Sequence, residues 1–263
     1  MIALTQAWSE FPLDILLPAM CAAVLVIATH VPLGTQVLKR GIIFIDLAIA
    51  QVAGLGAYLV TMLMGEQIGP IGVQIGATCL ALLAAWLLVA TERVTVRYQE
   101  SVIGIVFVLA ATAIILLLAK DPHGGEHLSD LLAGQILWIG WSQIRYSAFA
   151  TVLLLVGMYF SKNTRLTFYS LFAVAITVSV QLVGVYLVFA TLIIPALASV
   201  RISRRTMRLL CGYVIALLGY ALGLMGSGLF DLPTGPLIVW SLALTGLVAI
   251  LLQFLRRPTV RST

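Results

Sequence analysis

The chain has 263 residues, of which 62% are hydrophobic and only 10% charged, whereas a water-soluble domain of this size carries about a quarter charged residues. The polar surface is too small for water, so the solvent is lipid. Long unbroken apolar runs, in place of short strands of alternating polarity, exclude a closed barrel and leave a helical bundle. The formal charge of +5 does not point to nucleic acid, because the basic residues fall in small groups between apolar runs.

Read in chain order, the N-terminal residues include Glu10 and Asp14 but no basic stretch, so the first apolar run is read as a retained span and not a cleaved leader. Crossings are predicted at 15–33, 42–63, 71–90, 102–119, 144–160, 209–226 and 237–255, each near the roughly 20 residues a helix needs to cross a bilayer. The whole chain, 1–263, reads as one all-α polytopic transmembrane domain. His30, ahead of Pro32, is expected at the inner end of the first helix as an interfacial histidine. Cys21, Cys79 and Cys211 lie inside apolar runs and read as small buried hydrophobes.

The connections alternate between two kinds. One kind holds thirteen of the fifteen basic residues: Lys39, Arg40; Arg93, Arg97; Lys162, Arg165; Arg201, Arg204, Arg205, Arg208; and Arg256, Arg257, Arg261. Its only acids are Glu92 and Glu100. The other kind holds Glu10, Asp14, Glu66, Asp121, Glu126, Asp130 and Asp231 with Lys120. The positive-inside rule makes the first kind cytoplasmic, with the N-terminus outside and the C-terminus inside.

Two stretches break the regular pattern. The run 168–199 has basic flanks at both ends and is too short for two complete helices, so it is expected to cross, break around Gly184 and return through Pro195. The stretch 128–143, LSDLLAGQILWIGWSQ, follows an outside loop yet precedes a complete crossing, so it reads as a half-helix that dips in and turns back. Interrupted helices at membrane depth are tolerated where they are buried in protein or line a cavity, and transporters hold cargo at such places. Trp138, Trp141 and Tyr146 are expected to anchor this region at the outer interface, with Arg145 snorkelling.

Asp46 is the one ionisable residue well inside a clear crossing. It either reaches a basic partner near Arg40 or faces a wet path, where a passing divalent cation needs compensating oxygens. Gln51 and Gln181 are read either as interhelical hydrogen-bonding residues or as amide ligands on that path. In the outside loop DPHGGEHLSD, the glycines Gly124 and Gly125 would let His123, Glu126 and His127 turn toward one metal ion. Gly54, Gly56 and Ala57 allow close helix approach. The chain has no GxxxxGK[ST] phosphate loop, so it harvests no energy from nucleotide itself.

Five stretches together resemble the permease subunits of zinc, manganese and iron ABC importers (ABC-3 type): KRGIIFIDLAIAQVAGLGAYL (39–59), ESVIGIVFVLA (100–110), LLAGQILWIGWSQ (131–143), QLVGVYLVFATLIIPALAS (181–199) and FDLPTGPLIV (230–239). The resemblance implies a homodimeric permease in the bacterial inner membrane. A divalent transition-metal ion would be its cargo, and it would hold no cofactor of its own. A cytoplasmic ABC ATPase would hydrolyse the ATP, and a periplasmic or lipoprotein metal-binding protein would deliver the ion. Asp46, Gln51, Gln181 and Pro195 would then line the pathway. This chain departs from the family twice. Members carry an Asp and a His four residues apart on the second helix, where Leu47 and Gln51 stand here, with Asp46 one residue earlier. Their longer cytoplasmic loop, which folds into a coupling helix, is replaced by SKNTRLT, 161–167. Coupling is then expected to fall to TERVTVRYQES (91–101) and VRISRRTMR (200–208), with Arg93, Arg97, Arg201, Arg204 and Arg205 as contacts. Two other readings stay open: a non-transporting scaffold or regulatory subunit, and a secondary transporter not coupled to an ATPase.

Overall fold

A computed structural model describes residues 13–65, 68–94, 98–119, 124–134, 136–160 and 164–255. Ten α-helices run in order: α1 Leu13–Arg40, α2 Ile45–Met64, α3 Gly69–Val94, α4 Gln99–Leu118, α5 Gly124–Ala133, α6 Trp141–Phe160, α7 Arg165–Val183, α8 Val185–Ala198, α9 Arg205–Phe230 and α10 Thr234–Leu255. A short 3-10 turn, Ile136–Trp138, joins α5 to α6. Eight of these helices are long and apolar enough to cross a membrane; α8 is a shorter apolar helix and α5 a half-length one. The described residues form a helical bundle with no strand.

Helices α1, α7 and α8 form the interior. α1 packs on α8, α9 and α6, while α7 lies against α3, and α2 against α3 and α4. Fully buried Phe172, Ile176, Ile45, Ile49 and Leu187 fill the space between them. α4, α6 and α10 present long apolar side chains outward, among them Leu116, Phe149 and Leu255. In lipid such faces need no cover, because the acyl chains are as apolar as leucine.

Four expectations need correction. The first crossing does not stop at 33 but continues through Pro32 to Arg40. Proline at 32 leaves the carbonyl of Ala28 without its helical N–H, and the Tyr213 hydroxyl, from α9, donates to that oxygen at 3.3 Å. The continuation leaves His30 fully buried and not interfacial: its Nδ1 lies 3.0 Å from both the Val26 carbonyl and Thr29 Oγ1, and its Nε2 meets no partner among the described residues. The half-helix comes earlier than expected, as α5 over Gly124–Ala133, so Glu126 and His127 stand on a helix where a loop was expected. Its Leu131 packs on Gly54, which lets helix geometry win over the loop-forming Gly-Gly pair. Of the cysteines, Cys79 faces outward, and Cys21 and Cys211 are half-buried.

The connection between α6 and α7 leaves four residues, 161–164, between the two helices. Thr164 already caps α7, its Oγ1 accepting from the Thr167 N–H at 3.3 Å, so this connection has no room for an extra helix.

Candidate functional site

The break in the long element falls where the sequence places it. α7 ends at Val183, Gly184 takes φ +80°, and α8 starts at Val185. Gly134, which ends the half-helix α5, takes φ +70° and lies against it backbone to backbone. A Cβ on Gly184 would sit 2.4 Å from the Gly134 nitrogen, and one on Gly134 would sit 2.2 Å from the Val183 carbonyl oxygen. The start of α10 closes the third side, where a Cβ on Gly235 would sit 2.3 Å from the Ala133 carbonyl oxygen. The half-helix, the break and the FDLPTG turn thus meet at one point, through glycines that only a positive φ or a close approach requires. The junction is packed shut. A cavity of about 370 Å³ opens beside it, lined by Gly134, Trp138, Asp231, Pro233 and Thr234.

Asp46 lies at the opposite end of the bundle, in the first turn of α2. It is 1% exposed, and neither carboxylate oxygen has a hydrogen-bond partner among the described residues. Its polar surroundings are the N–H groups of its own helix start, at Asp46 and Leu47, and the carboxylate of Glu100. The helix start favours a negative charge, while the neighbouring carboxylate opposes it. Arg40 stacks its guanidinium 4.1 Å over the Phe168 ring.

Glu100 stands beside Asp46, and the neighbouring helix ends carry further polar side chains that sequence reasoning did not single out. Glu100, in the first turn of α4, accepts the Ile43 N–H through Oε1 at 2.5 Å, tying α4 to the turn ahead of α2; its Oε2 is buried and unbonded. Gln99 donates from Nε2 to the Leu88 carbonyl at 2.9 Å and leaves Oε1 unbonded. Glu92 Oε1 lies 3.5 Å from Arg165 Nε, and the Tyr169 hydroxyl is buried beside Glu92 and Gln99. Buried polar groups are costly in a membrane bundle unless they meet partners, and here the ends of α3, α4 and α7 bring Glu92, Gln99 and Tyr169 together. The sequence shows Glu92 and Glu100 only as the two acids among basic connections.

The four pathway candidates do not share a cavity. Gln51 is buried on α2, but five residues past Asp46 it points about 140° away round the helix. Pro195 is buried in α8, its carbonyl accepting from Ser199 Oγ at 2.8 Å. Gln181 lies on the outer surface of α7, three residues before the break. A second cavity, about 470 Å³ and mostly apolar, lies between α2, α4 and α5 around Gly54, Tyr58 and Leu131. None of these cavities reaches Asp46.

His123 and Arg97 lie outside the described residues, as do the side chains of Glu126, His127 and Arg93. Among the described residues no group of three or more His, Cys, Asp or Glu side chains is placed to hold a metal ion. Arg201 stacks 3.8 Å over the Phe254 ring, and Arg204 and Arg205 are exposed at the start of α9.

Among the described residues, eight membrane-length helices with a half-helix seated on a helix break make this a polytopic helical membrane protein. The ABC 3 transport family matches residues 12–167 and 161–253, and the chain belongs to that family. The two matched stretches overlap at 161–167. Over 258 residues the chain is 24% identical to a "Probable metal transport system membrane protein" of Chlamydia trachomatis, covering 88% of this chain and 86% of that protein. Its fold is similar to that in a structure of PsaBC from Streptococcus pneumoniae in complex with Fab, with a TM-score of 0.73 at 21% identity over 95% of each chain.

Proposed function

We propose that this chain is the membrane-spanning permease subunit of an ABC importer whose cargo is a divalent transition-metal ion: zinc, manganese or iron. The observation that carries the reading is Asp46, a buried carboxylate beside Glu100 that meets no cationic or side-chain donor among the described residues, only the N–H groups of its own helix start. Such a group costs several kcal/mol unless something positive visits it. A divalent cation crossing the bundle supplies that charge and takes oxygen ligands readily. Family membership and the Chlamydia trachomatis relative's description support a metal as cargo.

In this reading the chain catalyses nothing itself. A separate ABC ATPase binds the basic ends of the bundle, which face the cytoplasm of a bacterial inner membrane. A periplasmic or lipoprotein metal-binding protein delivers the ion at the acidic side, and a second copy completes the pathway. The N-terminus is outside and the C-terminus inside. The four residues left between α6 and α7 shift coupling to the α3–α4 connection and to the start of α9.

The test is affinity purification of the tagged chain from native membranes, followed by metal-uptake assays in vesicles containing whatever co-purifies. The expected result is an ATPase subunit in the eluate and ATP-dependent uptake of zinc, manganese or iron. An eluate with no nucleotide-binding subunit overturns the ABC reading; a bound ATPase without uptake of any of these ions favours a scaffold or regulatory subunit.

A further inference from the structure

At the basic end of the bundle a cavity of about 380 Å³ opens between α1, α6, α7 and α9. Lys39, Arg40, Arg205 and Arg208 line it, and no carboxylate does. A smaller cavity of about 170 Å³, also lined by Lys39 and Arg208, adjoins it. Arg208 is half-buried, and its Nε is buried with no hydrogen-bond partner among the described residues. Lys39, Arg205 and Arg208 repel one another with no carboxylate among the described lining residues, and a buried guanidinium donor left unmet is costly. Both deficits are relieved by one anion with several acceptor oxygens.

The rest of the cavity indicates the kind of anion. It reaches past the charged rim to Pro32 and Leu33, seven to eight residues before Arg40 and so about 10–12 Å along α1. Its lining includes the aliphatic Leu33, Met158 and Leu171, with Thr35 and Gln36 between Leu33 and Lys39 on α1. Beside its mouth, Tyr159 and Phe160 of α6 and Leu210 of α9 stand exposed, a surface suited to acyl chains with an aromatic ring at headgroup level. A carboxylate on a docked protein would reach the rim but leave the deep apolar part unfilled. A phosphodiester with a glycerol and two acyl chains occupies both parts, and basic pockets between transmembrane helices are suited to anionic headgroups.

We propose that this cavity binds the headgroup of one anionic phospholipid, with Lys39, Arg205 and Arg208 on the phosphate and the Leu33–Met158–Leu171 wall on the glycerol and first methylenes. The inference rests on the chain spanning a membrane, not on its transporting a metal.

The test is native mass spectrometry of the full chain in a neutral maltoside detergent. It is titrated with phosphatidylglycerol, with phosphatidylcholine of the same acyl chains, and with glycerol 3-phosphate. The expected result is saturable binding of one phosphatidylglycerol per chain and no comparable binding of phosphatidylcholine. Each cation removed should weaken it about fivefold, so the double variant Arg205→Gln/Arg208→Gln should bind on the order of 25-fold less tightly, while Arg145→Gln, at the other end of the bundle, binds as the parent does. Lys39→Gln, at the exposed rim, provides a second reading if the double variant does not fold. Equal binding of the two lipids, or unchanged binding by both cavity variants, overturns the proposal. Glycerol 3-phosphate displacing the lipid at equal concentration makes this a free-anion site and overturns it as well. So does loss of a co-purifying ATPase in the variants with lipid binding intact, which makes the cavity a protein-docking site.

Discussion

Asp46 meets no side-chain donor among the described residues, only the N–H groups of its own helix start, while a guanidinium close in sequence, that of Arg40, stacks on Phe168. If the carboxylate served the fold, removing it would weaken the protein, as removing a partner from a buried pair does. If it serves a visiting cation, its removal relieves a buried group that the folded chain leaves unmet. We therefore expect Asp46→Leu to raise the unfolding midpoint, corresponding to about 1–3 kcal/mol, and to abolish metal uptake in vesicles. Asp46→Asn should lose uptake at least tenfold with the midpoint unchanged or raised. A lowered midpoint for both variants, measured by thermal unfolding in detergent, would assign Asp46 to the fold instead. Asp46 was legible in the sequence because a lone carboxylate inside an apolar run is conspicuous. Glu92, Gln99, Glu100 and Tyr169 were not, because polar residues at the ends of apolar runs are ordinary, and only the packing of α2, α3, α4 and α7 brings those ends together.

At the scale of elements, the break at Gly184 was legible from length alone: two basic flanks enclose too few residues for two complete helices. The full length of α1 was not. Pro32 reads locally as a helix end, and the group that permits continuation, the Tyr213 hydroxyl, lies 185 residues from its acceptor in sequence. Unbonded backbone in lipid is costly, so a neighbouring helix that meets a proline-freed carbonyl lets the helix continue past the proline. Tyr213→Phe should cost about 0.5–1 kcal/mol. In a Pro32→Ala background the Ala28 carbonyl regains its helical N–H, and the same Tyr213→Phe change should cost much less. A thermal-unfolding double-mutant cycle measures the difference. Equal costs in the two backgrounds would show that Tyr213 contributes by packing, not by meeting that carbonyl. The outer loop DPHGGEHLSD was misread for the converse reason. Its glycines suggested a turn, but Leu131 on the same segment has Gly54 of α2 to pack against, and that tertiary contact supports a helix.

For the whole molecule, the placement of the four pathway candidates bears on assembly. Asp46, Gln51 and Pro195 are enclosed within one chain, while Gln181 faces outward beside the helix break. A glutamine amide facing acyl chains has no partner for its donors or acceptor, and its burial against protein is favoured over exposure to lipid. If Gln181 lies on a path, the other wall of that path comes from a second copy, related by a two-fold axis that brings the same position of both chains near each other. With Cys21, Cys79 and Cys211 replaced by alanine, Gln181→Cys is expected to form a disulfide-linked dimer in native membranes under mild oxidation. Trp240→Cys, on the outer face of peripheral α10 where the ring is 69% exposed, is expected to remain monomeric on a non-reducing gel. The reverse pattern would place the two-fold axis at α10, leave Gln181 against lipid, and remove it from any route shared between copies.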